Sequence, residues 1–409
     1  MLERFEDWYR ADVEARERAI AGVLARIRER DAAIRAWVEV SPQPPTGAGP
    51  LTAIPFGVKD VIETANLATE YGSPLYRGRR GAFDADIVSL LRARGGVLVG
   101  KTHTAAFACR TPAVTRNPRN LDHTPGGSSS GSAAAVAAGM VPFAIGTQTH
   151  GSVLRPASFC GVTGFKPSYG LLSTHGVLPV ARSLDTLGFF THTPRDAALL
   201  FEAIGQSAPA SAKTETTLGI PDPQLSVEPA MAAAVDRALL ILRRSGFEVR
   251  PVPIGQLLAD LPAYSRLVEL YEGARVHEAR YQEFGDRLLD IADMVREGFS
   301  IPRERYEQAL AAIANGRAIV DAALASTPII VTPAATGPAP LGLASTGDPR
   351  VNSPWTALGT PAITVPLSIA PDALPLGLQL CAAHGRDLAL LETAQSVSAA
   401  LEAANRPVL

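Results

Sequence analysis

The chain has 409 residues, 46% of them hydrophobic and 19% charged, with a formal net charge of −2 at pH 7. That composition supplies a large buried core and excludes a basic nucleic-acid binder or a protein drawn to an anionic membrane by charge. No segment reaches the roughly 20 uninterrupted apolar residues that span a bilayer. The first twenty residues are charged throughout and carry no apolar signal core. Cys109, Cys160 and Cys381 are too few and too scattered for a disulfide framework or a metal site. A cytoplasmic protein without nucleic-acid or membrane partners is the expectation.

In chain order, residues 1–40 read as helix. Val13, Ile20, Ile27 and Ile34 fall at heptad spacing, and Val23, Leu24, Trp37 and Val38 widen the stripe. The stripe is expected to dock on its own domain, with a homodimer interface as the alternative use. Residues 41–50 (SPQPPTGAGP) break the helix as a loop. Short apolar runs then alternate with helices: a strand at 54–59, a helix at 86–94, a strand at 95–101, a small-residue helix at 133–138 and a buried strand at 140–148. Residues 226–330 are long, charged and helical apart from a strand at 246–252, so this insert-like stretch is expected to shape a binding cavity. Strand character returns at 328–333 and 362–369. The alternation predicts an α/β fold, a sheet covered by helices in a single domain over 1–409. Within it, 1–40 forms an N-terminal helical segment and 210–330 a variable helical region.

Three motifs carry chemistry. The run TPGGSSSGSAAAVAAG at 124–139 feeds a helix, so it sits inside a core unit and is no linker; its glycines allow close backbone approach. It lacks the Lys of a phosphate loop. The stretch GTQTHGSVLRPASFCG at 146–161 follows a buried strand, which puts Ser152 in a tight turn. There the backbone N–H groups of Thr149, His150, Gly151 and Ser152 can converge as an oxyanion hole. IPFGVKD at 54–60 is an apolar strand ending on Lys59. A serine nucleophile needs a base, and lysine serves only when burial lowers its pKa by a few units from ~10.4. Ser128, donating to one neighbour and accepting from the other, can pass a proton between Lys59 and Ser152.

The set resembles the amidase signature family: Lys after I-P-x-x-V, G-G-S-S before an alanine helix, then G-S-x-x-R-P-A. LLRARGGVLVGKT (90–102), GVTGFKPSYG (161–170), SLDTLG (183–188) and the stretch 345–367 extend the likeness over most of the chain. The resemblance implies a large mixed, twisted sheet sandwiched by helices. It also implies a triad of Ser152 as nucleophile, Ser128 as relay, with a cis peptide bond, and Lys59 as base. The implied reaction is hydrolysis of a carbon–nitrogen bond in a small-molecule amide through an acyl-enzyme, with no cofactor and no metal. Carbamates, urea-like compounds and hydrazides are alternative substrates; a glutaminase subunit of an amidotransferase and an inactive amide-binding relative are alternative roles. Ser129, beside the relay, and His150, beside the nucleophile, are the candidate substrate contacts.

The chain departs from the family pattern at several positions. Gln148 stands for an acid and His150 for a glycine, Leu154 stands for an arginine with Arg155 one residue later, Ser130 for a glycine and Ala106 for a glutamate. Loss of the acid together with the arginine suggests a charged pair replaced by neutral groups. A rival reads residues 127–131 as the G-x-S-x-G elbow of an α/β-hydrolase, with Ser129 as nucleophile and His384 as base. It requires a strand just before the elbow, where polar, proline-broken 116–125 stands.

Overall fold

Apolar runs too short for helices and rich in β-branched residues pair edge to edge into one mixed sheet. The computed structural model describes residues 2–206, 214–367 and 373–404. Its strands are β1 (Trp37–Gln43), β2 (Pro55–Lys59), β3 (Val97–Thr102), β4 (Phe143–Gln148), β5 (Thr163–Lys166), β6 (Thr186–Thr191), β7 (Thr217–Pro221), β8 (Glu248–Val252), β9 (Ile329–Pro333), β10 (Ala362–Leu367) and β11 (Leu376–Ala382). They lie in the order β1-β3-β2-β4-β6-β5-β10-β11-β9-β7-β8. The triplets β3-β2-β4 and β9-β7-β8 are parallel, and the remaining neighbours are antiparallel. The expected mixed sheet covered by helices is present. The last two residues of the strand expected at 362–369, and residues 210–213 of the variable region, lie outside the described residues.

The helices are α1 (Phe5–Arg10), α2 (Val13–Ile34), α3 (Asp86–Ala93), α4 (Ser130–Ala137), α5 (Leu154–Cys160), α6 (Pro194–Ala203), α7 (Pro229–Arg244), α8 (Gly255–Phe284), α9 (Asp290–Phe299), α10 (Arg303–Ser326), α11 (Ser353–Ala357) and α12 (Asp387–Ala404). The expected N-terminal helix is broken at Ala11–Asp12, where the Asp12 carboxylate caps α2 by accepting the Ala15 N–H at 2.7 Å, and it ends earlier than its heptad pattern predicts. Asp31 stops it: its carbonyl accepts the Arg35 N–H at 2.8 Å and its carboxylate accepts the Ala36 N–H at 2.7 Å. Arg35 turns left-handed with φ 56°, and Trp37 and Val38, good strand formers, open β1 against β3 instead. The stretch expected as a loop from 41 therefore begins as strand, up to Gln43. The docking stripe is Val23, Ile27 and Ile34, while Val13 is exposed. Guanidinium groups of Arg26 and Arg30 tie α2 down by donating to the Gly139 and Ala138 carbonyls.

The charged 226–330 stretch forms α7, β8, α8, α9 and α10, as its pattern predicts. By length and composition α10 could span a bilayer, yet its Ala309, Ile313, Gly316, Val320 and Leu324 form one buried stripe on a helix that packs against α8. A separate apolar cluster joins α8 and α10 to Leu154, Leu184, Trp355 and Leu358. The helical region is thereby fixed against the strand ends that carry the conspicuous serines.

Candidate active site

Lys59 is the last residue of β2, and β4 runs parallel beside it with Val58 opposite Ile145. The Lys59 side chain is fully buried, and its Nζ donates to Ser128 Oγ at 2.8 Å and to Thr147 Oγ1 at 2.8 Å. Burial pushes its pKa down to about 7; Asp185 and Cys109 pull weakly the other way. Desolvation wins because no carboxylate touches the ammonium.

Ser128 follows a cis peptide bond from Gly127, as the family resemblance implies. Its carbonyl accepts the N–H groups of Ala105 and Ser130 at 3.0 and 2.9 Å, which anchors it at the start of α4. The next N–H, that of Ser129, reaches the Ser152 carbonyl at 3.4 Å. This backbone contact sets the Ser128–Ser129 segment beside the Ser152 turn; among the described residues the Ser128 and Ser152 hydroxyls share no hydrogen bond. The Ser129 hydroxyl is completely buried, donating to the Thr147 carbonyl at 3.2 Å and accepting from the Thr147 N–H at 3.3 Å. It therefore stands behind the site, tied to β4, rather than on the cavity wall.

Ser152 lies in the turn from β4 into α5 and lines a cavity of about 410 Å³ together with Thr149, His150, Arg155, Arg266, Glu269 and Ser353. Among the described residues, the backbone N–H groups of Thr149, His150, Gly151 and Ser152 have no protein partner. Gly151 is required here: a Cβ would come within 2.7 Å of Asn352 Oδ1 and 3.1 Å of Arg155 Nη1.

Gln148, in the place of the family pattern's acid, makes contacts of its own. Its Oε1 accepts the N–H groups of Val153 and Leu154 at 2.9 and 3.1 Å, capping α5. Its Nε2 donates to Thr356 Oγ1 at 2.9 Å, which donates in turn to the His150 carbonyl at 2.8 Å. Leu154, in the arginine's place, faces the apolar cluster that holds Trp355. Arg155 turns inward and donates to the carbonyls of Thr346 and Gly127, each at 2.7 Å.

The His150 ring meets Glu269 of α8, with Nε2 3.1 Å from Oε2, and Arg266 holds the same carboxylate. Burial pushes Glu269 up, but His150 and Arg266 outweigh it and hold its pKa at about 2. Thr149 Oγ1 donates to Asp185 Oδ1 at 2.6 Å, and Asp185 also accepts from the N–H groups of Val180 and Ala181. Burial nonetheless raises Asp185 to about 6.

The elbow alternative fails for want of its strand: residues 116–125 form turns and isolated bridges, and His384 pairs with the Tyr169 carbonyl. Among the described residues no three His, Cys, Asp or Glu side chains gather as a metal site.

A family model described as Amidase matches residues 29–391. The chain belongs to the amidase (amidase signature) family. It is 30% identical to a glutamyl-tRNA(Gln) amidotransferase subunit of Koribacter versatilis, over 97% of this chain and 94% of that one. With the subunit of the same name from Roseiflexus castenholzii it shares 35% identity over 72% of this chain, a match that spans 62% of that relative's length. A crystal structure described as an amidase superposes with a TM-score of 0.85 at 27% identity, covering 96% of this chain and 97% of that one. Membership makes the protein a carbon–nitrogen hydrolase by family.

Several residues around this candidate site gave no sequence signal of their own. Thr147, the second partner of Lys59, lies on β4, which is buried along its whole length and shows no alternation that would single it out. Asp185 sits inside the SLDTLG motif that contributes to the family likeness. Arg266 and Glu269 lie on a helix without any motif, so their place beside His150 emerges only from the fold.

Proposed function

We propose that this protein is an amidase that hydrolyses a small-molecule amide to carboxylate and amine through an acyl-enzyme on Ser152. The observation that supports it most is the fully buried Lys59, its pKa lowered to about 7 and its Nζ 2.8 Å from Ser128 Oγ. A neutral Lys59 takes a proton from Ser128, which takes one from Ser152. The Ser152 oxygen then bonds to the amide carbon, and the developing oxyanion is met by the free N–H groups of residues 149–152. As the C–N bond breaks, Ser128 returns the proton to the leaving nitrogen. Water hydrolyses the ester by the same route in reverse. Carbamates, urea-like compounds and hydrazides present the same carbonyl and belong in the substrate panel.

The test is labelling with a fluorophosphonate followed by peptide mass spectrometry. An adduct on Ser152 that is lost in Lys59→Ala is the expected result. An adduct on Ser129, or none in folded protein, refutes the mechanism, and the latter leaves an amide-binding role.

A second reading draws on the relatives' names: the chain as the ammonia-releasing component of an amidotransferase. Ammonia release from free glutamine only after a partner protein is added would favour it. Turnover of simple amides by the chain alone favours the first.

A further inference from the structure

His150 replaces a residue without a side chain in the family pattern, and the fold answers it with a partner. The imidazole lines the cavity next to Ser152 and is only 16% exposed. Its backbone is pinned by the Thr356 hydroxyl on its carbonyl, so the side chain leaves from a fixed point. Across the cavity wall, Glu269 of α8 takes Nε2 at 3.1 Å. That carboxylate is bound on its other side by Arg266, which also reaches Glu297 at 3.7 Å, so Glu269 is ionised and accepts only. The ring pulls on Glu269 by charge only when protonated; in its neutral form an acceptor at Nε2 keeps the proton there and leaves the Nδ1 lone pair free. Among the described residues Nδ1 has no protein partner.

We propose that His150 is a specificity-determining residue whose Nδ1, aimed by Glu269, accepts a hydrogen bond from a hydroxyl or amide N–H that the substrate carries away from its scissile bond. This rests on the amidase reading above. The donor it selects is neutral. Arg110, Arg155, Arg266 and Arg350 all line the same cavity, against Glu269 and Asp348, and both carboxylates are already engaged by arginines. An ammonium would meet surplus positive charge without a free carboxylate. A hydroxyl or amide N–H meets only the open lone pair. Glu269 acts as a positioning residue, through the ring.

The experiment measures protection of Ser152 from fluorophosphonate labelling by isosteric amide pairs in which O–H replaces CH₃: glycolamide against propanamide, 3-hydroxypropanamide against butanamide, and 4-hydroxybutanamide against pentanamide. Protection is referred to each variant's own labelling rate, so it reads binding whether or not the amide is turned over. In the unsubstituted protein at least one hydroxy amide protects at about fivefold lower concentration than its isostere, the size of one net hydrogen bond. His150→Phe, and His150→Leu as a second variant, bring the pair to equality. Glu269→Gln, which keeps an acceptor on the same stem, retains more of the preference than Glu269→Ala. Equal protection by every pair in protein that labels on Ser152, or a preference surviving both His150 variants, overturns the assignment and leaves the amidase reading standing. Absence of any Ser152 adduct in folded protein removes that reading, and this assignment with it.

Discussion

At the scale of single residues, the site turns on two buried polar groups, one whose surroundings decide its charge and one whose hydrogen bonds decide the shape of the turn. Lys59 loses more by desolvation than it recovers from distant Asp185, so its pKa falls to about 7. The base is the neutral amine, so activity is present above that value and lost below it as the amine protonates. The expected kcat/KM profile therefore rises with pH and inflects near 7, checked with a neutral amide that does not itself titrate. Lys59→Met removes the proton acceptor while keeping an unbranched chain, and should lower kcat/KM by about 10²–10⁴-fold. Thermal stability should change little, because relief from burying the amine offsets the hydrogen bonds lost at Ser128 and Thr147. Gln148 is the second case. Its amide donates to Thr356 while its carbonyl caps α5. Gln148→Glu keeps the cap but sets two acceptors against each other at Thr356, which must give up either the new carboxylate or the His150 carbonyl. A loss of about 1–3 kcal/mol is expected in denaturant unfolding, with reduced Ser152 labelling because the turn is released. Adding Thr356→Val should cost less than the sum of the single changes, since one contact is counted twice.

At the scale of elements, α4 explains its own composition. Every residue from Ser130 to Val136 is buried, and the helix approaches so closely that Gly131 lies against backbone. Its N–H bonds to the His103 carbonyl at 2.9 Å, and a Cβ would come 2.2 Å from the Ala36 carbonyl oxygen and 2.4 Å from the His103 nitrogen. Ser132 bonds to Thr102 Oγ1 at 2.7 Å and to the Ile145 carbonyl at 2.9 Å, while Ser130 donates to the Gly126 carbonyl at 2.7 Å, so even the helix's polar side chains are consumed by its seat. Gly131→Ala must push α4 away and carry Ser128 with it. A destabilisation of about 1–3 kcal/mol is expected, together with a fall in Ser152 labelling far larger than any distant change of equal stability cost produces; the comparison separates misplacement from unfolding. This tight seat is why the motif was legible: glycine, serine and alanine in one run have few uses besides close backbone approach beside a strand. The helix start was less legible. Ser130 to Ser132 carry no helix preference, and only packing recruits them. The same logic failed at residues 35–40, where the apolar stripe continued while Asp31 ended the helix, because a periodic pattern does not reveal which backbone groups a carboxylate will take.

At the scale of the whole molecule, the strand ends that carry Lys59 and Ser152 come from the parallel triplet β3-β2-β4, whereas Arg266 and Glu269 come from α8, far along the chain. The first group was readable because three motifs in fixed order reflect one local architecture. The second was not, because α8 approaches the site through tertiary packing alone. That packing runs through the apolar cluster around Trp355, which is fully buried together with Leu154, Leu258, Leu261 and Leu358. Leu154 belongs to the helix that begins just after Ser152, and Leu258 and Leu261 belong to α8. Trp355 therefore joins the nucleophile turn to the wall that positions His150. Trp355→Ala should cost about 3–5 kcal/mol by the cavity it leaves, read as a lower unfolding midpoint. If the cluster does hold α8 in place, the preference for hydroxy amides should fall further than the rate of Ser152 labelling, because the acceptor wall loosens while Lys59, Ser128 and β4 keep their own contacts. Equal losses in both would mean that the cluster supports the sheet as a whole rather than the approach of α8.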